Sequence, residues 1–193
     1  GSEKFSSIGN KKSAGTKLVC FDSFFNNPGV YEVDMCTPMK KIINEIGGGF
    51  KEPIKALQIG GPLGGVVPIK EVEKLNLDFQ EFTAAGFMLG HAGIVSIPKD
   101  FNMVEYIHHL FEFSAEESCG KCFPGRLGSY RGKEMFDQAI NKSKKIPLKL
   151  LNELLVTMKK GSLCALCGAI PVPIMNILKY FSDEMKSDIV QEN

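Results

Sequence analysis

The sequence predicts an α+β chain in which a sheet crossed by one helix is followed by a small antiparallel bundle of four helices. Three observations predict it. Between residues 16 and 98, short runs of strand composition alternate with turn signals around a single amphipathic helix. From residue 99 onward, apolar residues recur at helical spacing. Two Cys-x-x-Cys pairs fall in that second half, each where one helix hands over to the next.

Residues 1 to 15 read as a flexible leader or an expression remnant, rich in Ser, Lys and Gly and opening on Gly-Ser. Residues 16 to 98 read as a β-grasp-like domain. "KLVCFDSF" has strand composition, "NNPG" signals a turn, and "VYEVDM" alternates apolar and polar residues, so the two runs make a hairpin. In "CTPMKKIINEIGGG", Thr37 can cap a helix, Pro38 suits its first position, and the glycines from Gly47 end it. Met39, Ile42, Ile43 and Ile46 share one face of that helix. "IKALQIGG" and "AGIVSIPK" read as further strands. The Gly-rich "IGGPLGGVVP" lacks the Lys-Ser/Thr of a phosphate loop and the spacing of a dinucleotide fingerprint, and is read as a tight turn at a strand end.

Residues 99 to 193 read as the helical bundle. Asp100 is taken as the cap of the first helix, whose apolar stripe is Met103, Val104, Ile107, Leu110 and Phe111. The second helix is "GRLGSYRGKEMFDQAINKS". The third is "PLKLLNELLVTMKKGS", with Pro147 at its start and Gly161 near its end. The fourth follows Pro173 and runs as "IMNILKYFSDEMKSDI", with Ile174, Ile177, Leu178, Phe181 and Met185 on one side.

Composition narrows the function classes. A formal net charge of +1 leaves no basic excess for nucleic acid or an anionic membrane surface. No apolar run approaches the ~18 residues of a membrane span, and the polar start is unlike a secretion signal. Six cysteines without such a signal argue for a reducing compartment, the cytoplasm, where paired Cys-x-x-Cys motifs serve as metal ligands or redox groups. No carboxylate pair, Ser-His-Asp set or phosphate loop supports a self-contained enzyme. His91, His108 and His109 are the only histidines and are assigned no role; Cys20 and Cys36 are read as buried, inert thiols.

The four remaining thiols are the candidate site. Cys119 and Cys122 lie between the first and second helices, Cys164 and Cys167 between the third and fourth. In an up-down bundle those loops share one end, so the four sulfurs can converge. A thiolate cage suits soft metals, either zinc or the irons of an iron–sulfur cluster. Lys121 and Arg126 are expected to lower the thiol pKa values and offset negative charge, and backbone amides near Gly120 and Gly125 to donate to sulfur.

"ESCGKC" followed by Pro and Arg, then "SLCAL" and a helix ending in "YFSDE", resembles the end of the NADH-binding flavoprotein subunit of respiratory complex I and of related NAD-linked hydrogenases and formate dehydrogenases. "GTKLVCFDSFFNNPGVYEVDMCTP" is similar to that family's soluble-ligand-binding β-grasp segment, "GGPLGG" to the hydrogenase and formate dehydrogenase relatives, and "AAGFMLGHAGIVSIP" to the link into the bundle. The resemblance runs from about residue 15 to 185 and implies an electron-transfer function. NADH reduces FMN, electrons pass singly to a 4Fe–4S cluster at the bundle's end, and they leave through clusters in partner subunits, at the cytoplasmic membrane face. Two departures qualify the resemblance. Nothing here corresponds to the upstream domain that binds FMN and NADH, so the chain is expected to be a C-terminal fragment or shortened relative without hydride transfer of its own. The family's ligand pattern is Cys-x-x-Cys-x-x-Cys with a distant fourth Cys; Cys119, Cys122 and Cys164 match three, Gly125 stands at the remaining position, and Cys167 stands where the family usually has glycine. Cys167 is expected to replace the lost ligand in a two-plus-two cage. A zinc-binding or cluster-less docking module remains the alternative.

Overall fold

The computed structural model describes residues 1–190. It divides into two compact units, Gly1–Asp100 and a second beginning at Phe101.

In the first unit, α1 (Ser2–Ser6) and a Gly9↔Ala14 bridge precede the sheet. β1 (Thr16–Phe21) and β2 (Gly29–Asp34) pair antiparallel across the Asn-Asn-Pro-Gly turn, with Phe21 opposite Gly29 at its mouth. Pro38 then opens α2 (Met39–Lys41), which passes into a π-helical turn over Ile42–Ile46 and stops at Gly47. This is the helix expected from "CTPMKKIINEIGGG", except that Pro38 and not Thr37 stands at its cap, with no side-chain capping bond, and it buries Met39, Ile42 and Ile43. β3 (Ile54–Ile59) and β4 (Gly65–Pro68) form a second hairpin, α3 (Ile69–Val72) and α4 (Phe79–Ala84) follow, and β5 (Gly93–Pro98) closes the sheet. The strand order is β2-β1-β5-β3-β4; β1 and β5 run parallel and the other neighbours antiparallel. The glycine-rich segment turns tightly, as expected, but it also delivers β4, a strand too short to stand out in the sequence.

Strand alternation corrects the reading of Cys20. Val19 and Phe21 point into the core, so Cys20 and Leu18 point out, and Cys20 is exposed. Cys36 is half-buried in the left-handed region at φ 67°. Its thiol accepts from Asn10 Nδ2 at 3.1 Å and donates to Asp78 Oδ2 at 3.4 Å.

The second unit is helical. α5 (Met103–Glu117) is capped by Asn102, whose Oδ1 accepts the Val104 N–H at 2.8 Å. The cap is therefore Asn102 and not Asp100, because only Asn102 stands directly before the first helical residue with extended backbone. The next helix begins with a π-helical turn, Pro124–Gly128, and continues as α6 (Ser129–Ile140). β6 (Ile146–Pro147) leads into α7 (Leu148–Gly161), then come α8 (Ala165–Ala169) and α9 (Pro171–Tyr180). The helix expected from residue 174 to 189 is broken. It starts at Pro171, halts at Phe181 (φ −127°), and resumes as a single 3₁₀ turn, Ser182–Met185. Ser182 and Asp183 favour turns over helix interior, while Phe181 and Met185 still reach the core. β7 (Ile189–Val190) returns to pair parallel with β6. Residues 191–193 of the expected bundle segment lie outside the described residues.

α5 and α6 meet through Phe111 and Phe136, whose ring centroids are 5.8 Å apart. The approach depends on Gly132: a Cβ there would stand 2.2 Å from the Phe111 ring. Gly132→Ala forces that buried ring or the helix to move, with a cost of about 1–3 kcal/mol. Thermal unfolding followed by circular dichroism should show a lower Tm for the variant; an unchanged or higher Tm contradicts this packing.

Candidate metal centre

The two cysteine loops meet, and the backbone explains how. α5 ends at Glu117 because Ser118 is extended (φ −65°, ψ 126°), which sends the chain into the Cys119–Cys122 loop. Gly120 bends that loop at φ 71°. Arg126 holds it: its Nη1 donates to the Gly120 carbonyl at 3.3 Å, and its guanidinium lies 5.1 Å from the Phe123 ring centroid. The chain then re-enters helix at Pro124, which has no N–H to leave unbonded at a helix start. On the other side, α7 stops as Ser162 and Cys164 become extended, and Cys164 stands immediately before α8.

The Cys122 thiol is polarised by its surroundings. Its pKa is lowered first by the Leu163 backbone N–H and next by the Gly125 N–H, with a smaller contribution from the Ser162 hydroxyl, all outweighing burial. The Gly125 N–H is a first-turn donor with no partner inside its own helix, the usual way a helix start favours a thiolate. The Leu163 N–H comes from the opposite cysteine loop, so this contact joins the two loops. The expected influence of Lys121 and Arg126 on this thiol is not the cause; backbone amides are. Of the two glycines whose amides are expected to donate to sulfur, Gly125 contributes to lowering the Cys122 pKa, whereas the Gly120 N–H donates to Ser118 Oγ at 3.3 Å.

Gly125 is the centre of the arrangement. A Cβ placed on it would stand 2.9 Å from Cys167 Sγ and 3.0 Å from Cys122 Sγ. One sulfur from each loop therefore faces the space that a side chain at position 125 would fill. Around it the π-helical turn is fixed by Ser129, whose buried hydroxyl donates to the Gly125 carbonyl at 2.5 Å. π-turns inside helices recur at functional sites. Cys167 is buried at 2% exposure, with Ser114 Oγ 3.8 Å and Ser118 Oγ 3.9 Å from its sulfur. Cys119 and Cys164 are exposed.

The structure thus brings Cys122 and Cys167 together and leaves Cys119 and Cys164 at the rim of the same loop pair. Among the described residues, no three His, Cys, Asp or Glu side chains are grouped to hold a single metal ion. A closed zinc site would need four sulfurs about 2.3 Å from one point. A cluster of several irons takes ligands that stand further apart. The donor set fits such a cluster: soft sulfurs, amide donors aimed at one of them, and a side-chain-free position between two of them. Ser114 and Ser162 were not singled out from the sequence. Ser114 left a trace there, a polar residue on the apolar stripe of α5; Ser162 and the Leu163 amide left none.

The remaining polar groups belong elsewhere. His108 Nε2 lies 2.8 Å from Asp137 Oδ1 and links α5 to α6; His109 is exposed. His91 Nδ1 accepts the Gly93 N–H at 3.0 Å.

Comparison with known proteins places residues 105–188 in the NADH-ubiquinone oxidoreductase-F iron-sulfur binding region. Over 192 residues the chain is 32% identical to the NADP-reducing hydrogenase subunit HndC of Solidesulfovibrio fructosivorans, covering 98% of this chain and 39% of that one. It is also 32% identical to the F subunit of the NADH-quinone oxidoreductase of Rickettsia bellii, covering 98% of this chain and 46% of the relative. The chain thus spans less than half the length of these relatives. A crystal structure of an NAD⁺-reducing [NiFe]-hydrogenase in the H₂-reduced state superposes with a TM-score of 0.85 over the whole chain and 33% of its own; at 21% identity it speaks to the fold.

The thiol environments make a pH prediction. The lowered pKa of Cys122 populates its thiolate at lower pH, whereas burial, followed by the neighbouring Asp78, raises that of Cys36. In the metal-free, reduced protein, iodoacetamide should modify Cys122 at a pH well below that needed for Cys36, as read by peptide mass spectrometry. Equal or reversed onsets contradict the assigned contacts.

Proposed function

The chain is homologous to the C-terminal iron–sulfur binding region of NADH-quinone oxidoreductase flavoprotein subunits and of NAD-linked hydrogenase subunits, and from that premise we propose that it is an electron-transfer module whose Cys119, Cys122, Cys164 and Cys167 hold a 4Fe–4S cluster. The observation that carries this reading is the pair of sulfurs, Cys122 and Cys167, flanking the side-chain-free Gly125. Within the family's pattern the ligand absent at position 125 is made good by Cys167, from the other loop.

When bound, the cluster supplies one-electron transfer; its redox chemistry is its own. The chain's residues hold and tune it. The Leu163 and Gly125 amides stabilise negative charge on Cys122, and Arg126 fixes the loop that presents Cys119. Segments 119–131 and 154–168 carry Lys121, Arg126, Arg131, Lys159 and Lys160 and no acidic residue, a charge balance suited to an anionic group. In this reading the first unit is the β-grasp-like domain, the second is the four-helix bundle, and the boundary lies near residue 98. Electrons come from FMN reduced by NADH in a separate upstream domain, and leave to partner subunits of a multi-subunit oxidoreductase. The setting is cytoplasmic, at the membrane face through those partners; no helix among the described residues is long and apolar enough to cross a membrane.

Protein purified without oxygen should contain about four irons and four acid-labile sulfides per chain, the stoichiometry of the cluster type. One zinc without sulfide would replace this reading with a zinc-bound docking module. Cys167→Ser should lose the cluster; full retention refutes the two-plus-two ligand set. The double variant Gly125→Cys/Cys167→Gly restores the family's pattern and should bind iron and sulfide again, whereas failure to recover any would contradict the exchange of ligand positions.

A further inference from the structure

Two serines beside the candidate ligands are buried in a way their present partners do not explain. Ser114 lies on the core face of α5 with no exposed surface, and its hydroxyl is directed at Cys167 Sγ from 3.8 Å, a long contact to a weak acceptor. Ser162 Oγ is buried without a hydrogen-bond partner, and its neighbour Gly161 packs on the opposite cysteine loop, where a Cβ on Gly161 would stand 3.0 Å from Pro124 Cγ, two residues from Cys122. A buried hydroxyl with a poor partner costs about 1–3 kcal/mol, and alanine would avoid that cost at either position. Both hydroxyls become good donors if the sulfur beside them is a thiolate, because a charged acceptor roughly doubles the strength of such a bond. Each serine has its own sulfur, one in each cysteine loop: Ser114 from α5 serves Cys167, and Ser162 from the end of α7 serves Cys122.

We propose that Ser114 and Ser162 are positioning residues that set the reduction potential of this centre, each donating its hydroxyl hydrogen to a ligand sulfur. The inference rests on the cluster reading above. In the redox step one electron enters from the flavin class of donor, no bond to either serine breaks, and both hydroxyls keep their protons. The added negative charge is shared by the ligand sulfurs, so the two hydrogen bonds strengthen on reduction and hold the potential up. Ser118 Oγ also lies 3.9 Å from Cys167 Sγ, but there the oxygen is the acceptor, of the thiol and of the Gly120 N–H at 3.3 Å. Ser129, equally buried beside the same turn, donates to the Gly125 carbonyl and not to sulfur.

The test is a redox titration of the anaerobic chain, followed by electron paramagnetic resonance, with iron and sulfide measured on every sample. Ser114→Ala and Ser162→Ala should each keep the full cluster and shift its midpoint potential to more negative values. The expected change in the reduced-to-oxidised ratio is roughly threefold to tenfold, tenfold corresponding to about 59 mV for one electron. Ser162→Thr keeps the hydroxyl and should return the potential toward that of the unsubstituted chain. Ser143→Ala, at an exposed serine whose hydroxyl donates to the Gln138 carbonyl at 3.0 Å away from the cysteine loops, should leave the potential in place. If Ser114→Ala does not fold, Ser162→Ala with its Thr counterpart decides alone. Full clusters with unchanged potentials in the Ser114→Ala and Ser162→Ala variants overturn the role of the serines and leave the cluster reading standing, as does an equal shift in Ser143→Ala. A chain without iron and sulfide overturns both.

Discussion

The second unit turns on one constraint: two sulfurs from different loops share the space at a residue with no side chain. Cys122 and Cys167 can both face Gly125 only because that position ends at its Cα. Any larger residue would push against Cys167, which is buried and has little room to retreat. The surrounding helices then follow. α5 ends where Ser118 extends, α7 ends where Ser162 extends, and the chain re-enters helix at Pro124 through a π-turn locked by the Ser129 bond to the Gly125 carbonyl. The close α5–α6 contact at Gly132 holds the two flanking helices in that relation.

Polarity at the site comes from the backbone more than from charged side chains. The Gly125 amide faces Cys122 because a helix start leaves its first donors unbonded, and the Leu163 amide joins it because its loop packs against the same sulfur. These donors are fixed by the fold and need no reorganisation when charge arrives, an arrangement that suits electron transfer. Arg126 is spent on loop geometry, through the Gly120 carbonyl and the Phe123 ring. No cation is among the leading causes of the lowered Cys122 pKa, whereas the Leu163 and Gly125 amides are.

Much of this was legible in the sequence, and the rest was hidden for identifiable reasons. α5, α6 and α7 could be read because their apolar residues repeat at helical spacing between clear stops, and Pro147 marked the start of α7. The π-turns at 42–46 and 124–128 could not, since a wider hydrogen-bond ring has no compositional signature. The break at Phe181 was masked because Met185 keeps the apolar period across a turn. Cys20 was misread because burial was judged from residue type and not from strand alternation. At the site, the placement of the two Cys-x-x-Cys pairs between the first and second and the third and fourth helices foretold that the loops meet. Nothing in the sequence marked the Leu163 amide or Ser162, because a backbone donor and a small loop hydroxyl look alike in functional and ordinary turns.

The account stands on Cys167 being a ligand in place of the one that Gly125 does not supply. Diffraction from crystals of the anaerobically prepared protein, with anomalous data at the iron edge, tests this most directly. The account predicts a four-iron centre with one iron bonded to Cys167 Sγ and the other three to Cys119, Cys122 and Cys164. A cluster with Cys167 unbonded, or a single zinc in its place, would contradict it.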